Sequence, residues 1–126
     1  MDFGIGVDAS LGLSFEEQHT LVQEAARLGY KSAWTPSGPP FRDGFQVCAQ
    51  WHAATSQVVP GGLPTGIAVI PAPLWTVPSL VQQAGTLAAL TGGQFTFGLG
   101  TGGIYGAEYQ KTYGLPAWPV VRMMRE

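Results

Sequence analysis

The sequence predicts an α/β fold built on a parallel sheet. Short apolar runs alternate strictly with segments whose apolar residues recur at helical spacing, and that order is typical of right-handed βαβ units. The runs are continuously apolar, as in parallel strands that are buried on both faces. No tight hairpin turn separates any two of them. We therefore expect four parallel strands that pair in chain order.

The first unit combines a strand over residues 3–8 with a helix over residues 15–28. Ser14 followed by Glu17 has the spacing of a capping box, in which each residue satisfies a free backbone N–H of the other. Gly29 is suited to the position just after the helix.

The second unit has a strand over residues 31–35, stopped by Pro36, and a helix that begins after Asp43. Asp43 is a favoured N-cap, with Gln46 three residues on. The apolar side of this helix is formed by residues at spacings of three and four. They are Phe45, Cys48, Trp51, His52 and Thr55.

The third unit has a strand over residues 65–70 and a helix that starts near Pro78, a residue favoured in a first turn. A fourth strand is predicted over residues 94–99. A glycine-rich loop follows it, and residues 120–126 have the pattern of the first turns of one more helix. Because that helix has barely begun, we expect the domain to be unfinished at residue 126.

Composition excludes several classes of function. Charged residues make up 11% of the chain, and the net charge is −2, so no basic patch exists for nucleic acid. With two histidines, one cysteine and no clustered carboxylates, we expect no metal site. No apolar run is long enough for a membrane helix, and no basic leader precedes an apolar segment. These features predict a cytoplasmic protein without a membrane or nucleic-acid partner. Of the two histidines, His19 is expected to face solvent. His52 is expected to be a helix residue that packs against its neighbours and has no catalytic role.

The 64 residues from Gly44 to Ala107 contain no Asp, Glu, Lys or Arg. A solvated surface normally carries charges, so much of this stretch is expected to be covered. A chain of 126 residues has little material for that purpose. Either the chain forms a homo-oligomer or it pairs with a missing part of the same protein.

The loop from Gly98 to Gly103 satisfies the spacing G-x-G-x-x-G after a strand. A dinucleotide-binding fold would continue directly into a helix and then into a strand that ends in an acid, and neither follows here. Two interpretations remain open. Successive glycines let backbone N–H groups approach a phosphate, with the Thr101 hydroxyl as a further donor. The alternative is a tight turn that needs positive φ angles.

Residues 92–102 (Gly-Gly-Gln-Phe-Thr-Phe-Gly-Leu-Gly-Thr-Gly) resemble the fourth-strand signature of the bacterial-luciferase-like oxidoreductases. The helix from Leu80 to Leu90, the strand from Thr65 to Ile70 and the segment Ala33-Trp34-Thr35 are similar to elements that precede that signature in the family. The start of the second helix at Asp43 also matches. The resemblance covers nearly the whole chain in the correct order.

This resemblance implies a (β/α)8 barrel of the TIM type, which needs about 250 residues. Residues 1–126 would be its N-terminal half, with the first four βα units and a cut at the start of helix four. The active site would lie at the carboxyl ends of the strands. The family's cofactors are a deazaflavin (coenzyme F420), which we favour, or FMN, and the substrate would be a small organic molecule.

Carried over residue by residue, Ala68 and Val69 match the place where the family often has a non-prolyl cis peptide against the central flavin ring. Gly100, Thr101 and Gly102 match residues near the cofactor's phosphate or ribityl chain, and Ser37 lies at the same end of the barrel. We expect Gly102→Val to weaken cofactor binding more than Thr101→Ala.

Two departures from the family bear on the reaction. Deazaflavin enzymes that oxidise sugars or alcohols often carry an acid and a histidine after strand two, where this chain has Ser37 and Gly38. A Glu that can follow the fourth-strand glycines is replaced by Gly103. These changes argue against a sugar-phosphate substrate and favour hydride transfer to an activated double bond or flavin-dependent oxygenation. No catalytic residue is assigned, although Glu108 is the one acid near the loop.

Tyr105, Tyr109 and Tyr113 recur every four residues, so a helix would align them as a stripe. The stripe could pack inside the protein or form one wall of a substrate pocket. Two functions remain open for the whole chain. One is a flavin- or deazaflavin-dependent oxidoreductase, and the other is a non-catalytic fragment or truncated paralogue that serves as an interaction module.

Overall fold

A computed structural model describes residues 1–101, 107–114 and 125. Strands and helices alternate along these residues, and short 3-10 turns follow β1 and β3 at Ala9–Leu11 and Ala72–Leu74. The elements are β1 (Gly4–Gly6), α1 (Phe15–Arg27), β2 (Ser32–Thr35), α2 (Gly44–Ser56), β3 (Thr65–Pro71), α3 (Val77–Leu90), β4 (Phe95–Gly100) and α4 (Ala107–Thr112).

The four strands form one parallel sheet in the order β1-β2-β3-β4, which confirms the predicted topology. Ile5 pairs with Ala33, Thr35 pairs with Ile67, and Ile67 pairs with Phe97 on the other side. Parallel pairing in chain order brings the carboxyl ends of all four strands to one edge of the sheet.

The predicted helix starts at α1 and α2 are also confirmed. Ser14 Oγ accepts from the Glu17 N–H at 3.1 Å, while the Glu17 carboxylate accepts from the Ser14 N–H at 2.7 Å. Asp43 Oδ2 accepts from the Gln46 N–H at 2.9 Å. Helix α3 begins one residue before Pro78, and its N-cap is Thr76.

The helices cover one face of the sheet and bury two apolar clusters there. The first lies between the α1–α2 pair and strands β1 and β2, and it consists of Val7, Val22, Ala26, Ala33, Val47, Trp51 and Leu63. The second joins α2 and α3 to β3, and it consists of Phe45, Cys48, Ile67, Ile70 and Leu87. Phe95 and Phe97 of β4 pack their rings against Phe45 in this second cluster.

The other face of the sheet is open in the described part of the chain. We call it the open face. It carries the strand residues that alternate with the core positions, namely Gly4, Gly6, Ser32, Trp34, Gly66, Ala68, Thr96 and Gly98. Of these, Gly4, Gly6, Ala68 and Thr96 are exposed. The expectation that the strands are buried on both faces is therefore wrong for these residues, because the described chain supplies only one covering layer.

Trp34 is the one large side chain on the open face. Its indole lies across Gly66, where a Cβ atom would collide with the ring. The indole N–H donates to Ser32 Oγ at 2.9 Å, which holds the ring flat along the sheet. Gly66 is therefore required by the close approach of the indole.

One predicted strand is shorter in the structure, and two predicted helical segments lie partly or wholly outside the described residues. Strand β1 is only three residues long, shorter than the predicted 3–8, although the Val7 N–H still donates to Trp34 O at 2.8 Å. The short helix α4 occupies part of the tyrosine stripe, while Tyr105 and the side chain of Tyr109 lie outside the described residues. The helix predicted at 120–126 also lies outside them, apart from residue 125.

Thr55 ties the end of α2 to the loop that leads into β3. Its side chain is fully buried, and its Oγ1 donates to Trp51 O and accepts from the Leu63 N–H, both at 2.8 Å. We expect Thr55→Val to lower the free energy of unfolding by about 1–3 kcal/mol, because the buried Leu63 N–H loses its acceptor. Urea denaturation measures this loss.

Thr55→Ser is the matched control, since it keeps the hydroxyl and removes one methyl group at a cost of about 1 kcal/mol. A valine variant as stable as the serine variant would show that the hydroxyl does not hold the loop.

Candidate functional site

The carboxyl ends of β3 and β4 bring four of the predicted site residues together. Ala68 pairs with Gly98 and Pro71 pairs with Gly100, while Val69 is an extra residue on β3 that shifts the register. The Ala68–Val69 peptide bond is cis, as the family resemblance implies. Thr101 follows directly after Gly100, so Ala68, Val69, Gly100 and Thr101 lie at one corner of the sheet.

The Val69 side chain lies over two glycines of β4. A Cβ atom placed on Gly98 would lie 3.4 Å from Val69 Cγ1, and one placed on Gly100 would lie 3.2 Å from Val69 Cγ2. Val69 itself is 40% exposed, and Ala68 beside it is also exposed. This corner is thus a shallow apolar surface without side chains larger than valine. We call it the strand-end surface: Ala68, Val69, Gly98 and Gly100.

The glycine loop after β4 is described only at its start. Thr101 is half-buried, and the predicted binding residue Gly102, like Gly103, lies outside the described residues. Both interpretations of the loop, a phosphate cradle and a tight turn, therefore remain predictions.

Ser37 lies away from the strand-end surface. Its side chain is buried at 7% exposure, and its Oγ accepts from the Gly44 N–H at 2.9 Å. A Cβ atom on Gly44 would lie 2.9 Å from both Ser37 Cβ and Ile67 Cδ1, so the serine packs on the helix-covered side of the sheet. Its hydroxyl caps the first turn of α2, and a direct contact with a cofactor stays a prediction.

A cleft of about 480 Å³ lies over this first turn of α2. It is formed by the loop after β2, the turn after β3 and the turn after α4. Its lining residues are Ser37, Gly38, Pro39, Phe41, Asp43, Leu74, Trp75 and Tyr113. A Cβ atom on Gly38 would lie 2.6 Å from Pro71 Cγ, and Pro71 pairs with Gly100. Pro71 therefore contacts a residue of the cleft and pairs with a residue of the strand-end surface.

Sequence reasoning missed this cleft and the part of Pro71 in it. The strand predicted over residues 65–70 continues through Pro71, which contacts Gly38 of the cleft and pairs with Gly100 of the strand-end surface. Trp75 carried a usable signal, because it is an aromatic residue in the segment that joins β3 to α3, and barrel sites are built from such segments.

Few charges lie at these strand ends. Asp8 follows β1, and its carboxylate accepts from the Ser10 N–H at 2.7 Å, which lowers the pKa of this exposed acid. Glu108 in α4 is exposed. Among the described residues, no group of three or more His, Cys, Asp or Glu side chains could hold a metal ion. No helix in the described ranges is long and apolar enough to cross a membrane.

Both histidines lie away from the strand ends. His19 Nε2 is 3.0 Å from Gln50 Oε1 and links α1 to α2. His52 packs beside Gly62, at the loop that precedes β3, where a Cβ atom would lie 3.0 Å from its Nδ1. Neither ring therefore lies within reach of chemistry at the strand-end surface.

Cys48 is buried beneath the sheet, and its thiol donates to Gly66 O at 3.7 Å. Burial raises the pKa of this thiol from 9.0 to about 12. In the unfolded chain the thiol ionises first, so the stabilising contribution of its burial is complete below about pH 9 and is lost as pH rises towards 12. We expect the urea midpoint to fall more steeply between about pH 9 and about pH 12 than in Cys48→Ala, since the alanine variant lacks this ionisation. Equal slopes for the two proteins would contradict the assignment.

The family model described as luciferase-like monooxygenase matches residues 2–126. A search of curated proteins gives no significant match.

Two solved structures share the fold. One is the oxygenating constituent of 3,6-diketocamphane monooxygenase from Pseudomonas putida, a type II Baeyer–Villiger monooxygenase in complex with FMN. It is 17% identical with a TM-score of 0.73, over 99% of this chain and 36% of that chain. The other is the coenzyme F420 dependent tetrahydromethanopterin reductase from Methanopyrus kandleri. It is 20% identical with a TM-score of 0.64, over 91% of this chain and 30% of that one. The chain thus spans about a third of the length of each.

Proposed function

The chain belongs to the luciferase-like monooxygenase family, and from that membership we propose that it forms the cofactor-binding part of a flavin- or deazaflavin-dependent oxidoreductase. The ring of the cofactor would lie against the strand-end surface. A small organic substrate would react beside it, by hydride transfer or by oxygenation. The observation that carries this proposal is the exposed apolar corner formed by Val69 over Gly98 and Gly100.

This corner fits a flat aromatic ring. The two glycines leave space that a side chain would fill, and the exposed Ala68 extends the same apolar area along β3. When bound, the cofactor supplies the redox chemistry. The residues of this chain would hold the ring in place and keep water from one side of it. The Thr101 hydroxyl would donate a hydrogen bond to a more polar part of the cofactor.

Coenzyme F420 is our first choice, and FMN is the alternative. One structural neighbour is an F420-dependent reductase and the other holds FMN, so each supports one choice. Ser37 and Gly38 stand where deazaflavin enzymes that oxidise sugars or alcohols often carry an acid and a histidine, which favours substrates that need no proton removed by the protein at those positions. No catalytic residue is assigned, and the cytoplasmic location stays a prediction from the sequence.

Titration of the purified protein with FMN and with coenzyme F420 tests the proposal. Flavin fluorescence should change and saturate if the ring is held against the protein, and the ligand with the lower dissociation constant identifies the cofactor. Absence of saturable binding of either compound would leave the second candidate, a non-catalytic interaction module.

The open face favours association of this chain with another polypeptide, whether the protein is an oxidoreductase or a non-catalytic interaction module. In the described sheet, β1 and β4 have unpaired edges, and strand edges readily pair with another chain. We expect the 126-residue chain by itself to sediment as a folded oligomer, because the open face would be covered by a second copy or, in a longer protein, by the C-terminal half of a barrel. A compact 13.3 kDa monomer would contradict this expectation.

A further inference from the structure

We propose that the cleft over the first turn of α2 binds the apolar ring system of a neutral organic substrate and rejects anions. The inference rests on the proposed function, because it names the class of substrate that would meet the cofactor. It is carried by the position, the walls and the charge of the cleft.

The position of the cleft suits a substrate. The cleft is lined by the loops that follow β2 and β3, at the same edge of the sheet as the strand-end surface, and Pro71 contacts Gly38 of the cleft and pairs with Gly100 of that surface. Its volume of about 480 Å³ is in the range of small-molecule sites, about 300–1,000 Å³.

The walls of the cleft are mainly apolar. Pro39, Phe41, Leu74 and Trp75 line it, together with Tyr113. The Trp75 ring makes an edge contact with the Phe45 ring at a centroid distance of 5.4 Å, so the buried core holds this wall in place. A site of this kind selects hydrocarbon rings, since they gain most from leaving water.

The charge of the cleft argues against anions. A helix N-terminus normally attracts them through its free N–H groups. In α2, however, the Gly44 N–H donates to Ser37 Oγ and the Gln46 N–H donates to the Asp43 carboxylate. The chain's own carboxylate therefore occupies the place that an anionic substrate would take.

Among the described residues that line the cleft, Asp43 is the one charged side chain, and none of them is a cation that would compensate it. The adjacent Arg42 is directed elsewhere. Its guanidinium lies 4.2 Å from the centre of the Phe15 ring and donates to Leu13 O at 3.2 Å. A carboxylate or phosphate in the cleft would thus meet an unscreened negative charge.

Equilibrium dialysis of the purified protein with two probes of the same ring tests this inference. The probes are 2-acetylnaphthalene, which is neutral, and 2-naphthoate, which is an anion. We expect the neutral probe to bind about tenfold more tightly, because the anion is repelled by Asp43. Asp43→Asn should narrow that difference by strengthening 2-naphthoate binding, since asparagine is an equally good N-cap and carries no charge. Asp8→Asn is the matched control, because Asp8 caps a turn outside the cleft, and it should leave both affinities unchanged.

Phe41→Ala provides a test that does not depend on Asp43. Phe41 is 40% exposed, so its truncation should leave the fold intact, as circular dichroism would verify. It should weaken binding of the neutral probe about tenfold.

Equal affinity of the unmodified protein for both probes, or an unchanged affinity in Phe41→Ala, would overturn the inference. If the protein binds FMN or F420 but not the neutral probe, the proposed substrate site in the cleft is refuted and the proposed cofactor site stands. The reverse result would refute the proposed cofactor site and leave the cleft standing.

Discussion

Replacing Trp51 with alanine is expected to lower the free energy of unfolding by about 3–5 kcal/mol. The indole is 1% exposed and joins helices α1 and α2 to the sheet within the first apolar cluster. Its N–H donates to the buried Gln18 Oε1 at 3.2 Å, so truncation removes that donor as well as the ring. A domain is typically stable by only about 5–15 kcal/mol, so this single change should leave much of the protein unfolded near body temperature. Urea denaturation followed by circular dichroism measures the loss.

Trp51→Phe is the control for this prediction. It keeps an aromatic ring in the cluster and removes only the N–H and part of the volume, so the loss should be clearly smaller than for alanine. If the two variants were equally unstable, the hydrogen bond to Gln18 would outweigh the packing, contrary to the account given above.

Gly98→Val is expected to weaken cofactor binding by about tenfold or more, because overfilling a close contact typically costs about 1–3 kcal/mol. A Cβ atom at this position makes an ordinary contact with Val69 Cγ1 at 3.4 Å, so the sheet can accept a side chain. The two methyl groups of valine would instead occupy the space where the ring is proposed to lie. Fluorescence titration with FMN or F420 measures the affinity, and a thermal melt verifies the fold.

Thr96→Val is the matched control for Gly98→Val. Thr96 is exposed on the same face of the same strand, two residues closer to its amino end. Valine has nearly the same shape as threonine, so cofactor affinity should be unchanged. Equal losses in both variants would indicate a general disturbance of β4, and no loss in Gly98→Val would place the ring elsewhere.

Local chemistry made much of the fold predictable. Ser14 with Glu17 and Asp43 with Gln46 satisfy backbone donors within their own turns, so sequence spacing alone locates both helix starts. The strand order followed from the alternation of elements, because few other topologies satisfy it. The resemblance also indicated the correct position for the cis bond at Ala68–Val69.

Contacts between distant segments were not predictable in this way. The Ser37 hydroxyl is used by α2 because Gly44 approaches it closely, a contact that depends on how the loop after β2 folds back. Pro71 contacts the cleft only because Gly38 packs against it across the strand ends. The prediction that the strands are buried on both faces failed for a similar reason. The sequence pattern shows that a strand residue is apolar, but it does not show whether another part of the described chain covers it.

The division of the sheet into a covered face and an open face has a consequence for how such a protein can diversify. Ala33 and Ile67 are fully buried against the helices and determine whether the chain folds. Ala68 and Thr96 point to the other side, are exposed and take little part in that packing. Substitutions on the open face can therefore alter what is bound while most of the folding free energy is preserved. Natural selection or protein design can therefore change the ligand bound at the open face without first adding stability on the helix-covered face.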